Sequence, residues 1–205
     1  MLTSLSIIGS GGHAKVVIEA LCSYDKSTKI KVFDENPSKN NLLLNQYSID
    51  LLFDLSKLED NFHVAIGSND ARSRLSNSAI LAGKNNISII HEKAMISKSA
   101  EVLDGSFVAA NSIISSEVIV QNGCIINHSA VIDHDCVIGK FSHIAPNVTL
   151  SGGVKIGQQC LIGAGSVVLP NINIGDFAIV GAGSVVIKDI SDGKIFAGNP
   201  ATDIT

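Results

Sequence analysis

Two short stretches of the chain hold side chains that could do chemistry together. In Asp133-His134-Asp135 an imidazole is flanked on both sides by carboxylates. With an ordinary pKa of about 6.5, histidine moves protons at neutral pH, and a carboxylate on its second ring nitrogen would fix the tautomer and support the imidazolium. The other stretch is GSGGHAK, from Gly9 to Lys15, with Asp34 twenty residues beyond Ala14. Gly9, Gly11 and Ala14 match a relaxed G-x-G-x-x-A pattern. Such glycines let backbone approach a phosphate at a helix N-terminus, and the acid can take ribose hydroxyls. A tight strand–helix turn with no ligand would read the same way. Of the six histidines, His128 and His134 are six residues apart and His143 follows nine later. The four cysteines, Cys22, Cys124, Cys136 and Cys160, form no C-x-x-C or zinc-finger spacing, which predicts a reduced inventory without disulfides or a thiolate nucleophile.

The composition narrows the classes. The chain has 205 residues, 45% hydrophobic and 17% charged, with mean hydropathy +0.33. That excludes intrinsic disorder. No apolar run approaches the roughly 20 residues of a bilayer span, so no membrane insertion is expected. A net charge of -4 with no basic cluster argues against nucleic acid as a partner. No secretory signal opens the chain, and a cytoplasmic location is expected. Aromatics are only 4%, with no Trp, beside 18 glycines. A core without rings is either narrow or highly regular.

Regularity is what the second half shows. From Ala94 the sequence divides into sixteen consecutive hexads: AMISKS, AEVLDG, SFVAAN and onward to SVVIKD. The third position, residue 96 and every sixth residue to 186, is aliphatic in all sixteen. The first position is always Ala, Ser, Cys, Val or Ile, and the last three are rich in turn formers. A period of six fits neither a helix nor a long alternating strand. It fits short strands joined by turns in a parallel β-helix. Three hexads per coil would give a triangular prism of a little over five coils, about 25 Å tall at the usual strand spacing. Cys124, Cys136 and Cys160 all take the small first position and read as core fillers. His128 and His134 take the fifth, at turns outside the core, and His143 the second, beside the inward Ile144. For His128 the expected state is a solvated surface residue.

Residues 1–92 alternate differently. Strands are predicted at Leu5 to Ile8, Ile30 to Phe33, Phe62 to Ile66 and Asn86 to Ile90. Helices are predicted after Gly11 (with Val16, Val17, Ala20 and Leu21 on one side) and over Asn69 to Leu81. This predicts a small α/β, Rossmann-like unit, short for a complete dinucleotide domain and better matched to one nucleotide. The expected organisation is 1–92 for that unit and 93–205 for the prism with its C-terminal tail.

The hexads resemble the left-handed β-helix acyltransferases of the hexapeptide-repeat superfamily, and Gly198-Asn199-Pro200-Ala201 resembles the tail that follows the last coil in many members. An α/β unit ahead of such a prism is similar to bacterial sugar-nucleotide acetyltransferases, in particular the PglD-type UDP-4-amino-sugar N-acetyltransferases. GSGGHAKVV, SAVIDHDCVIG and FSHIAPN carry that likeness. The left hand of the prism is implied by this resemblance. So are acetyl-CoA as cosubstrate with no metal, a homotrimer with the acetyl-CoA site between prisms, and a nucleotide-activated, UDP-4-amino-4,6-dideoxy sugar destined for a surface glycan or glycoprotein. The resemblance also assigns residues. His134 matches the general base and Asp135 its orienting carboxylate, where Asp stands for a more usual Glu and shortens the reach. Gly11, Gly12, His13, Lys15, Asp34 and Glu35 match the sugar-nucleotide side, with Asn127 a further substrate contact. His143 and Gly152 match acetyl-CoA contacts, and the Gly152 N–H could bind the oxyanion. Ala164 and Ala182 leave room for a pantetheine arm or serve turn packing alone. Three readings compete with N-acetylation: O-acetylation of a sialic acid or other sugar, a metal-dependent hydratase using the three prism histidines, and a non-catalytic assembly platform.

Overall fold

The apolar run near the N-terminus forms strand β1 (Ser4–Ile8), and the computed structural model describes residues 2–36, 42–52 and 54–205. After β1 come helix α1 (Gly12–Tyr24), β2 (Lys29–Asp34), β3 (Leu42–Leu43) and β4 (Tyr47–Leu51). A 3₁₀ turn at Leu55–Lys57 leads to β5 (Asn61–Val64), α2 (Asn69–Leu81) and β6 (Asn85–Asn86). The sheet order is β3-β4-β2-β1-β5-β6, parallel except where β3 meets β4. The edge pair β3–β4 has no counterpart among the predicted elements.

Residues of alternate parity on β1 separate the two faces of this sheet. Leu5 and Ile7 join Ala14, Val17, Ile18 and Leu21 of α1. Ile8 joins Phe33, Phe62 and Val64, with Leu75 and Ala79 of α2. Helix α1 is therefore covered twice, because its cluster extends to Ile89, Phe107 and Ile125 of the second unit.

The expected strand from Asn86 to Ile90 divides in two. Asn85 and Asn86 pair with β5 and finish the first sheet. Strand β7 (Ile89–Ile90) pairs instead with Phe107 and Val108, eighteen residues later. The β-helix ladder thus starts at Ile89, because Ile90 already occupies the inward phase of the hexads.

From there each two-residue strand through Val167–Val168 pairs in parallel with the strand eighteen residues on, such as Val131–Ile132 with Thr149–Leu150, while Ile179–Val180 pairs with Ile195–Phe196, sixteen residues on. Three ladders result, of eight, six and five strands. The eight-stranded face runs from β7 through Ile125–Ile126 and His143–Ile144 to Ile195–Ala197. The six-stranded face holds Val131–Ile132, and the five-stranded face holds Val137–Ile138. Third-position side chains from Val108 to Val186 fill the interior. Phe107, Phe141 and Phe177 all lie outside the prism, while Phe196 pairs beside Val180 and closes the last coil. The sixth position of all hexads from Gly105 to Gly183 has φ between 53 and 73. This left-handed backbone turns each corner, and explains the Gly, Asn and Asp found there.

A buried arginine sets how the two units meet. Arg72 on α2 is 1% exposed. Its Nε donates to Gly123 O at 2.7 Å and its Nη2 to Phe141 O at 2.7 Å, while Nη1 donates to Ile66 O and Gly67 O. Asn69 donates from Nδ2 to Gln159 O and Cys160 O one coil further. Arg72→Ala leaves four carbonyls without that donor and is expected to cost about 3 kcal/mol in urea unfolding. A loss below about 1 kcal/mol would show that the clamp contributes little.

Candidate functional site

The chemistry-bearing side chains fall into two groups on neighbouring corners of the prism. The first is built on His134, at the corner that follows Val131–Ile132. The Asp133 Oδ1 accepts the His134 backbone N–H at 2.8 Å. Asp135 occupies the left-handed corner position, φ 61, which turns its side chain back so that Oδ2 lies 2.6 Å from His134 Nδ1. The shorter reach of Asp is therefore sufficient. A carboxylate at that distance accepts a hydrogen bond from Nδ1–H, so in the neutral ring Nε2 keeps its lone pair. The Asp135 hydrogen bond, followed by the charge of Asp133, raises the His134 pKa above its ordinary value.

The same ring rests on Gly152, one coil above. A Cβ built at that position would lie 2.6 Å from His134 Cε1 and 2.7 Å from Nε2. Only glycine leaves the ring where it is. In a single chain the His134 side chain is 60% exposed.

The second group occupies the preceding corner, where α1 meets the eight-stranded face. His143 leaves the prism interior as its phase requires, but it is half-buried rather than solvent-facing, and burial lowers its pKa to about 4. Asn127 Nδ2 contacts His143 Nε2 at 3.1 Å, and Asn127 Oδ1 accepts from His128 N and Nδ1, both at 2.9 Å. His128 is thus a bonded, half-buried residue and not the solvated one expected. His13, from the first turn of α1, stands edge-on against Phe107, centroids 5.2 Å apart. Its Nε2 is buried without a hydrogen-bond partner. Burial, reinforced by the nearby His63, His143, Arg72 and His128, lowers its pKa to about 3. His63 is a buried structural residue whose Nδ1 lies 2.9 Å from Ile87 O.

At the N-terminus of α1, Gly9 has φ 115, and its missing Cβ would sit 2.8 Å from Ala65 O. Gly11 and Gly12 open onto free space. The N-cap Gly11 supplies no side-chain cap and no acid stands in the first turn. Helix α2, by contrast, is capped by Ser68 and carries Asp70 in its first turn. Unsatisfied N–H groups facing open space, beside exposed Lys15, suit an anion. Asp34 and Glu35, expected to face the nucleotide, are engaged by protein groups. Asp34 Oδ2 accepts Ser10 N and Oγ at 2.7 and 2.6 Å, and Oδ1 accepts Asn36 N at 2.8 Å. Glu35 makes a bidentate pair with Arg74 at 3.0 and 2.7 Å, which holds its pKa below the usual range.

Ala164 and Ala182 lie two and three coils above His128, on the same corner, and are exposed. Gly165 and Gly183 beside them have open space where a side chain would be. With small exposed residues at 164, 165, 182 and 183, the corner forms a low edge along the prism. Cys124, Cys136 and Cys160 are fully buried, and burial pushes their thiols to about 12, 11 and 11. They are core fillers, not nucleophiles. Among the described residues no group of three His, Cys, Asp or Glu side chains could hold a metal ion, and no helix is long and apolar enough to cross a membrane. The contributions of Arg72 and Ser10 had no sequence signal beyond their polarity, because each acts through a partner set by the fold.

Comparison with known proteins bears on this arrangement. The family model described as PglD N-terminal domain matches residues 4–79, and the bacterial transferase hexapeptide model matches residues 153–188. The acetyltransferase domain of PglB from Neisseria gonorrhoeae, solved with acetyl coenzyme A, superposes with TM-score 0.93 at 32% identity, covering 100% of both chains. A variant of GDP-perosamine N-acetyltransferase from Caulobacter crescentus, in complex with CoA and GDP-perosamine, gives 0.92 at 33%, covering 100% of this chain and 98% of that one. WeeI from Acinetobacter baumannii gives 0.90 at 25%, covering 98% and 100%. With a PglD-type α/β unit followed by a hexapeptide prism over its whole length, the chain belongs to the left-handed β-helix family of sugar N-acetyltransferases.

Proposed function

We propose that this protein transfers the acetyl group of acetyl-CoA to the amino group of a nucleotide-activated amino sugar. The observation that carries the reading is the His134 Nε2 lone pair, fixed by Asp135 and exposed directly over Gly152. The similar structures that hold acetyl coenzyme A, or CoA with GDP-perosamine, support it.

In this mechanism the sugar amine attacks the thioester carbonyl carbon. As the C–N bond forms, the nitrogen's proton passes to His134 Nε2, and Asp135 supports the imidazolium. The Gly152 N–H donates to the tetrahedral oxyanion. Collapse breaks the C–S bond, and the leaving thiolate takes the proton from His134. No acyl-enzyme forms, in keeping with cysteines that are buried as thiols. The nucleotide's phosphates meet the uncapped N-terminus of α1 at Gly11 and Gly12, with Lys15 supplying charge. Asp34 acts indirectly, holding Ser10 and the loop. His13 and Asn127 line the sugar's side, and the pantetheine arm lies along the edge of Ala164 and Ala182.

One chain does not bring the two groups together, because His134 and His143 belong to different sides of the prism. The six-stranded face lies between their corners. Its outward positions read Met95, Ile113, Val131, Thr149, Val167 and Val185, against Glu101, Ile119, Val137, Lys155 and Asn173 on the five-stranded face. An apolar flat face bounded by the two half-sites suits packing of a second copy. We infer a homotrimer in which His134 of one chain completes the cleft of its neighbour.

His134→Ala is expected to lower kcat/KM for an amino-sugar nucleotide by about 10²- to 10⁴-fold, read by thiol release from acetyl-CoA. Absence of turnover with any amino sugar, combined with turnover of sialic acids, would replace N-acetylation by O-acetylation. The reaction needs neutral His134, so kcat/KM falls as pH drops through a raised pKa. In Asp135→Asn the acid limb moves to lower pH, and an unmoved limb would remove Asp135 from the mechanism. The double variant Ile113→Asp/Val167→Asp is expected to sediment as a folded monomer without activity. Retention of the trimer would place the interface on another face.

A further inference from the structure

The second group of polar residues has an internal logic that fixes every proton in it. The backbone N–H of His128 can only donate, so the Asn127 atom that it meets is the carbonyl oxygen. That assigns the amide orientation. The other end of Asn127 is then NH₂, which also can only donate. Its partner, His143 Nε2, is therefore the acceptor and carries no proton. Burial keeps this imidazole neutral, with its pKa at about 4. The single ring proton of His143 therefore sits on Nδ1. By the same reasoning His128 Nδ1 carries the proton that it gives to Asn127 Oδ1.

Two imidazoles thus present opposite faces to a ligand. His134 offers a lone pair, since its proton is held by Asp135. His143 offers an N–H donor, since its lone pair is taken by Asn127. Nδ1 of His143 has no protein partner among the described residues, which leaves it for an oxygen acceptor. What keeps Asn127 from rotating by half a turn, which would reverse the assignment, is the pair of donors on its oxygen. One is the His128 backbone and the other its ring.

We propose that His128 is a positioning residue that locks the Asn127 amide and so makes His143 a hydrogen-bond donor to an oxygen of the bound substrates, not a second base. This rests on the acetyltransferase reading for its kinetic consequence, but the proton assignment stands on geometry alone. Removal of the ring leaves the Asn127 oxygen with the backbone donor alone and weakens the hold on the amide's orientation. An asparagine at 128 restores a donor where Nδ1 stood.

The test uses the full-length protein with ¹⁵N-labelled histidine. Long-range ¹H–¹⁵N spectra are expected to show His143 as the Nδ1–H tautomer in the unmodified protein and as a mixture in His128→Ala. His128→Asn is expected to restore the single tautomer. With acetyl-CoA saturating, kcat/KM for the amino sugar is expected to fall about 5- to 10-fold in His128→Ala, the scale of one neutral hydrogen bond, and to recover in His128→Asn. An Nε2–H tautomer in the unmodified protein, or a spectrum unchanged by His128→Ala, overturns the proposal. An equal kinetic loss in both variants with an unchanged tautomer also overturns it, by making His128 a direct contact. If no amino sugar turns over at all, the acetyltransferase reading fails while the spectra still decide the role of His128.

Discussion

Everything in the second unit depends on one constraint, the parallel ladder that ties each residue to the one eighteen later. The ladder closes three short sheets around an interior too narrow for rings. It accepts only aliphatic third-position side chains and small first-position ones. Polar groups that do enter are short and bonded at once, as with Ser142, whose Oγ donates to Gly157 O at 2.7 Å. Chemistry is therefore exiled to the second position and to the turn positions four to six, where side chains leave the prism. The left-handed corners make those positions rigid, since each corner N–H is held by the coil beneath, as Gly153 N is by His134 O.

That rigidity lets one small fold hold imidazoles in opposed electrostatic settings. His134 stands in solvent between two carboxylates, which favour its charged form. His13 and His143 lie in the crevice under α1, where loss of water and neighbouring positive groups favour the neutral form. Environments that push like groups apart in pKa are a mark of divided acid–base labour. The division here is spatial as well, with one setting on each side of the flat apolar face.

Much of this was legible in the residues because the hexad is a ruler. Once Ile96 and its successors were phased, His128 and His134 had to be at corners, His143 had to point out, and three cysteines had to fill the core. Helix α2 was placed from Asn69 to Leu81 by its pattern. What escaped was every fact decided by a distant partner. Arg72 looks like one more surface cation on a polar helix until Gly123 O and Phe141 O surround it. Asp34 reads as a ribose ligand with no hint that Ser10 and Asn36 also donate to its oxygens, and His128 reads as solvated until Asn127 claims it. The run from Asn86 to Ile90 is continuous in composition, and only pairing shows that it belongs to two sheets.

The eighteen-residue period also restricts how such a chain can lengthen over generations. Inserting six residues between His134 and Gly152 would preserve an acceptable interior, yet rotate everything downstream by one third of a turn and carry the glycine away from the imidazole. Inserting a whole coil there would keep the angular address but lift Gly152 off the ring by a full storey. Above Ala182, complete coils can come and go without disturbing either neighbourhood, whereas a coil added below His134 would part Asn127 from His143 or Phe107 from His13. Length variation among relatives is accordingly expected at the upper end of the column, with the storeys beneath held to a constant count.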